Sequence, residues 1–242
     1  MSIYILDTET TDKKDGEVIE LAYRQIFYYK EEAYYYYREE YFQAYFSATT
    51  PITYGAMATH HILPTDIQNK PLYTPDILPK NLTYLIGHNI KFDWEAIGKP
   101  KCRLIDTLVL AKQAWPTLDS YTQSALMYYL SDDLLDTRNE LINAHSALAD
   151  IGFCFEILQY AVDTLYPKGI DTSPEGLWRY CEEAKIPVLM PVGKYKDTPI
   201  AELPIDYVEW FLLQPDVEES LKLALLDRKY PGTIGRYLEQ LA

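Results

Sequence analysis

Cysteine is scarce in this sequence. The three present, Cys102, Cys154 and Cys181, are widely spaced and form no C-x-x-C pair. Neither a zinc site nor a disulfide framework is therefore indicated. A reducing, cytoplasmic setting with thiols packed as small apolar side chains is the expectation. Long hydrophobic runs are absent too: no stretch of about 18 apolar residues occurs, so no spanning helix and no membrane partner are expected. The opening residues, MSIYILDTET, lack a basic flank and a small-residue cleavage site, and read as mature protein. Positive charge is short: 22 Lys and Arg stand against 36 Asp and Glu, a net charge of −14. That balance argues against gripping long nucleic acid by bulk electrostatics. It leaves room for an enzyme that meets a strand end through metal ions, because bound cations invert the local field.

What the chain does have is apolar content, 48% over 242 residues, enough for a large domain with a full core and a smaller one beside it. Ile3–Leu6 is a short continuous apolar run, suited to a strand covered on both faces. Glu17–Tyr29 and Tyr34–Phe46 read as two long strands joined by Lys30–Glu32. Across their junction runs FYYKEEAYYYYREEYF, either an aromatic hairpin or a stacking platform for single-stranded bases. Further short strands are expected at Leu82–Ile86 and Arg103–Ile105. Helical periodicity marks Asp119–Leu130 and Ala144–Val162. Pro, Gly, Ser and Asp accumulate in YPKGIDTSPEG, which sets expected boundaries: a first domain 1–165, a linker 166–176 and a small C-terminal domain 177–242. In the latter, helices are expected near Glu175–Lys185, Tyr207–Leu213 and Val217–Leu226.

The run IYILDTETT raises a physical question. Side chains two apart on a strand share a face, so Asp7 and Glu9 project together. Like charges that close repel, and burial worsens the repulsion. A divalent cation between them would resolve it, since hard cations take carboxylate oxygens. A solvated strand end would resolve it as well, and D-x-E alone does not decide. Two more segments carry chemistry. In GHNIKFDWEAIG a strand ends near Gly87 and a helix starts near Lys91, with Asn89 as a candidate cap and Asp93 in its first turn. In AHSALAD, His145 and Asp150 are five apart, about 140° round a helix, so they fit a helix start and its interior better than one face. There His145 could accept a proton and Asp150 could join the other acids on a metal. A surface His beside an ordinary first-turn Asp is the alternative.

Taken together, the order D-x-E, then N-x-x-F-D within HNIKFD, then H-x-A-x-x-D resembles the DnaQ-like family of 3′–5′ exonucleases, in its DEDDh branch. The residues that carry the resemblance are Asp7 and Glu9, Asp93, and His145 with Asp150. Ser146 stands where the sister branch has Tyr. The resemblance covers roughly 1–165. It implies an α/β, RNase H-like fold with a mixed five-stranded sheet flanked by helices. It also implies two Mg²⁺ or Mn²⁺ ions held by Asp7, Glu9, Asp93 and Asp150, and His145 as general base. Thr8, Thr10, His88 and Asn89 would contact substrate, and Lys91 phosphate.

Pro187–Leu212, PVLMPVGKYKDTPIAELPIDYVEWFL, is similar to the small domain that follows the nuclease in exodeoxyribonuclease X-like proteins, with Val192 and Asp197 departing from the usual pattern. Lys194 and Lys196 there are either phosphate contacts or parts of a turn. Tyr207 and Trp210 are expected in that domain's core. The implied activity is hydrolysis of DNA from 3′ ends to nucleoside 5′-monophosphates. A ribonuclease trimming short RNA, and a non-catalytic polymerase-associated protein, are the alternatives. A homodimer is compatible with the family, although no segment reads as an interface.

Overall fold

The computed structural model describes residues 2–142 and 146–241. The strands are β1 (Ile3–Thr10), β2 (Val18–Tyr29), β3 (Tyr34–Tyr37), β4 (Phe42–Tyr45), β5 (Tyr84–Gly87) and β6 (Arg103–Asp106). The α-helices among the described residues are α1 (Tyr54–His60), α2 (Pro64–Ile67), α3 (Lys91–Ala96), α4 (Thr107–Ala114), α5 (Gln123–Leu130), α6 (Leu134–Leu141), α7 (Ala147–Leu165), α8 (Pro174–Ala184), α9 (Ile205–Leu212), α10 (Glu219–Lys229) and α11 (Thr233–Leu241). None is long and apolar enough to cross a membrane. The chain forms two compact units, Met1–Trp178 and Arg179–Ala242.

The sheet of the first unit runs β3-β2-β1-β5-β6, with β4 also paired to β2. β1 is antiparallel to β2 and parallel to β5, and β5 is parallel to β6. The expected mixed, helix-flanked sheet is therefore present, with six strands in place of five. The extra one arises because the expected strand Tyr34–Phe46 is interrupted. Tyr34–Tyr37 pairs with the far end of β2 and Phe42–Tyr45 with its near end, while the charged stretch at 38–41 leaves the ladder. Charges at that break find water, whereas the flanking aromatics find a sheet face.

β1 is central because its residues are apolar on both sides: Ile3, Ile5 and Leu6 are all buried. On one face Leu6 and Leu21 pack with Phe46, Leu85, Ile90 and Ile97. Across the other lies α7, which touches both β1 and β2. Its buried residues Ala147, Ile151, Cys154, Leu158, Ala161 and Leu165 recur at intervals of four and three, the stripe that a helix needs to cover a sheet. α7 begins three residues later than the periodicity suggested, because Ser146 serves as its N-cap and accepts from the Ala149 amide. α5 likewise starts at Gln123, capped by Thr122, rather than at Asp119. The start of α3 differs from expectation as well: its N-cap is Ile90, not Asn89, which has φ 63° and donates its amide to Asp106 Oδ1.

Gly87 closes β5 for a steric reason. A Cβ there would lie 2.5 Å from Ile90 Cδ1 and 3.0 Å from the Leu6 carbonyl oxygen. The aromatic hairpin is present: Tyr35 is buried and its hydroxyl bonds the Thr172 carbonyl, while Tyr34, Tyr36 and Tyr37 are each about two-fifths exposed. The segment expected as linker, 166–176, is tied to the first unit by that bond and by Glu175, which takes hydrogen bonds from Arg103 and Tyr84. The thiols of Cys154 and Cys181 are buried and that of Cys102 is half-buried, none of them in a disulfide.

The second unit has its own core of Met190, Ile200, Leu203, Val208, Leu221 and Leu225. In its GKYK loop, Gly193 has φ 80°, and a Cβ there would meet the Tyr207 hydroxyl at 2.8 Å. Tyr207 packs edge-on to Tyr195, whereas Trp210, expected in the core, is 54% exposed. It sits on the solvent side of α9, a helix whose inward position is taken by Val208.

Candidate active site

β1 carries the first two acids to the end of the sheet. Asp7 and Glu9 alternate with buried Leu6, Thr8 and Thr10, and both are half-buried. α7 supplies Asp150 from its first turn. One carboxylate oxygen from each of Asp7, Glu9 and Asp150 lies within 4.8 Å of the others. Hard oxygen donors at that separation suit Mg²⁺ or Mn²⁺, and do not suit a thiophilic ion.

Asp93 approaches from α3 and is buried. Its Oδ1 accepts from the Thr8 amide at 2.9 Å and from the Thr8 hydroxyl at 2.7 Å. Thr8 therefore spends both its amide and its hydroxyl donor on Asp93. The structure brings Asp93 against β1 through this clamp, within electrostatic reach of Asp7.

The electrostatics are those of crowded, buried acids. Burial, and then Asp93, Asp150, Glu9 and Glu20, push the Asp7 carboxyl well above the ordinary carboxylate range. Burial, then Asp150, Glu20 and Asp93, push Glu9 up to about 9. Burial raises Asp93 to about 7, against the lowering effect of the Thr8 hydrogen bonds. A site that holds protons this tightly is one that a divalent cation would discharge.

Other expected site residues are already engaged within the protein. The Thr10 hydroxyl donates to the Asp12 carbonyl. His88 lies 3.0 Å through Nδ1 from the Thr107 hydroxyl and 2.7 Å through Nε2 from the Tyr121 carbonyl. A carbonyl partner assigns the ring proton to Nε2, and burial lowers the imidazole pKa. Asn89 and Lys91 keep exposed side chains. A cleft of about 290 Å³ beside β1 is lined by Thr10, Lys13, Phe92, Glu95 and Lys99, among others. Lys194 and Lys196 are exposed in the second unit. His145 lies outside the described residues. The basic residues near the second motif are partly neutralised: Lys99 pairs with Glu95 at 3.4 Å and Arg103 with Glu175 at 2.6 Å.

Glu20 is an acid that the sequence reading did not single out. It faces Glu9 across the β1–β2 ladder and is fully buried. The signal was available: a lone carboxylate inside the apolar run VIELA.

The fold has solved counterparts. It is similar to exonuclease X in complex with 5′-overhanging duplex DNA, at 22% identity over 74% of this chain and 99% of that one, with a TM-score of 0.55. It is also similar to the zinc-bound E. coli exonuclease I–single-stranded DNA complex, at 14% identity over 100% of this chain and 73% of that one, with a TM-score of 0.52. A second exonuclease I structure matches at 14% identity over 99% and 69% of the two chains, with a TM-score of 0.53. These likenesses establish the exonuclease-type, RNase H-like fold expected from the motifs. Residues 184–215 match a family described as "Putative quorum-sensing-regulated virulence factor". A search of curated proteins by sequence gives no match.

Proposed function

We propose that this chain is a DnaQ-like, metal-dependent 3′–5′ exonuclease that hydrolyses DNA from its 3′ end and releases nucleoside 5′-monophosphates. The observation that carries the reading is the meeting of Asp7, Glu9 and Asp150, from segments far apart in sequence, within 4.8 Å on a fold shared with exonucleases. The DNA named in two of the matched complexes favours DNA as substrate.

Asp7, Glu9 and Asp150 would hold Mg²⁺ or Mn²⁺, with Asp93 completing the set for a two-ion site. Such ions would supply Lewis acidity and neutralise charge at the scissile phosphate. The chain's own residues have the remaining tasks. His145, directly before the cap of α7 in sequence, takes the proton of the attacking water. That water's oxygen bonds to phosphorus, the P–O3′ bond breaks, and the leaving O3′ takes a proton from solvent, so that the shortened strand ends in a 3′-hydroxyl. Thr8 holds Asp93 at the site. Phe92 and Thr10 line the cleft that receives the terminal nucleotide, and Asn89 and Lys91 are the side chains this unit offers to substrate and phosphate; in the second unit, taken by itself, Lys194 and Lys196 are the candidates for a phosphate contact. Three cysteines outside any disulfide fit a reducing, cytoplasmic setting.

A 5′-labelled single strand incubated with purified protein and Mg²⁺ tests this. The wild type should shorten it from the 3′ end, and His145→Ala should slow the reaction about 10²–10⁴-fold. An intact substrate, or equal cleavage by Asp7→Ala, would sink the reading. RNA of the same sequence in parallel decides the sugar preference through the 2′-hydroxyl.

A further inference from the structure

Glu20 is a carboxylate for which the proposed chemistry has no direct use, and its surroundings are unusually complete. Oε1 accepts from Gln43 Nε2 at 2.7 Å. Oε2 accepts from the Ala147 amide at 3.3 Å. The Tyr45 side chain adds a third hydrogen bond. Gln43 and Tyr45 belong to β4, Glu20 to β2, and Ala147 is the first residue of α7. One side chain thus joins three elements at the level of the sheet where Glu9 sits.

The bond to Ala147 matters most. The opening amides of a helix have no partner within it. In α7 the Ser146 hydroxyl takes the Ala149 amide and Glu20 takes the Ala147 amide. Asp150 stands in that same first turn. Fixing the turn to β2 therefore fixes where the Asp150 carboxylate meets Asp7 and Glu9. The arrangement has an electrostatic cost, because Glu20 adds to the repulsion felt by both Asp7 and Glu9. A buried carboxylate retained beside two others calls for a compensating role, and the tie to α7 provides one.

We infer that Glu20 is a positioning residue: its carboxylate anchors the first turn of α7 on β2 so that Asp150 closes with Asp7 and Glu9 into one cation site. This rests on the nuclease reading for its link to catalysis, though the tie itself does not. The role depends on the reach of the side chain rather than on its charge. Gln keeps the length and an acceptor for the Ala147 amide, and the Gln43 amide can turn to face the new NH₂ group. Asp keeps the charge but falls one methylene short.

The test compares Glu20→Gln and Glu20→Asp in the full chain, both conservative enough to fold. Mn²⁺ affinity is measured by calorimetry, cleavage by kcat and KM, and the α7 amides by hydrogen exchange in EDTA. Glu20→Asp should lose about 10–100-fold in Mn²⁺ affinity and in kcat, the usual effect of removing support from a metal ligand, with KM for the strand little changed. Glu20→Gln should retain both. In metal-free protein, exchange at Ala147 should quicken in Glu20→Asp and stay near wild type in Glu20→Gln. The reverse ranking, with Asp tolerated and Gln impaired, would overturn the proposal in favour of a charge or ligand role. Unchanged exchange in Glu20→Asp would overturn the tie itself. A wild type that neither binds Mn²⁺ nor cleaves DNA would instead count against the nuclease reading, with the exchange data still judging the tie.

Discussion

Single residues set the balance at the acid cluster. Glu9 in the folded protein holds its proton to about pH 9, whereas its ordinary value is 4.5. The folded state therefore binds more protons than the unfolded one between those values, and the stability of metal-free protein falls as pH rises from about 4.5 to about 9. Melting in EDTA across that range should show the decline. Glu9→Gln should flatten it and stabilise the metal-free protein at pH 8 by about 0.5–2 kcal/mol, while abolishing cleavage. Thr8→Val makes a second test. It removes the hydroxyl bond to Asp93 and keeps the amide bond, so the Asp93 carboxyl should rise further. The acidic limb of the pH–rate profile should move to higher pH, with kcat lowered about 10–100-fold. The acids of the motifs were legible in the sequence because each stands in a distinctive local setting. What Thr8 and His88 do was not legible, because their partners, Asp93 and Tyr121, are remote in the chain.

At the scale of elements, the site depends on where strands stop and helices start. Gly87 allows β5 to end against β1, and Gly87→Ala would bring a Cβ to 2.5 Å from Ile90 and 3.0 Å from the Leu6 backbone. Overpacking of that kind costs about 1–3 kcal/mol, which thermal melting should register alongside reduced cleavage. Periodicity revealed α7 well, because a 19-residue amphipathic helix over a sheet repeats its pattern many times. Its start was misplaced because the Ser146 cap overrides the pattern. The Tyr34–Phe46 stretch was read as one strand because aromatic propensity runs through it. Pairing with β2 at two separate places is a tertiary property that propensity does not carry. Short helices such as α1 and α6 were missed for want of repeats long enough to show a period.

For the whole molecule, the tension is between a net charge of −14 and the polyanionic substrate proposed for it. Divalent ions would relieve it locally, and they should also stabilise the fold. At a concentration of 100 times Kd, a bound ion adds about 2.7 kcal/mol. Mg²⁺ or Mn²⁺ should therefore raise the melting temperature of the wild type and leave Asp7→Ala unmoved, with a shift that grows with pH because binding displaces protons. Composition does not show what holds the stretch around Thr172 and Glu175, because its partners Tyr35 and Arg103 lie more than 70 positions earlier. The second unit's GKYK loop is explained sterically by Gly193 and Tyr207, and Lys194 and Lys196 are exposed on it.

The measurement that bears most directly on this account is calorimetric titration of Mn²⁺ into metal-free wild type and Asp150→Asn. Saturable binding in the wild type, weakened at least about tenfold when the helix-borne acid is neutralised, is the predicted result. No saturable binding, or binding indifferent to Asp150, would contradict it.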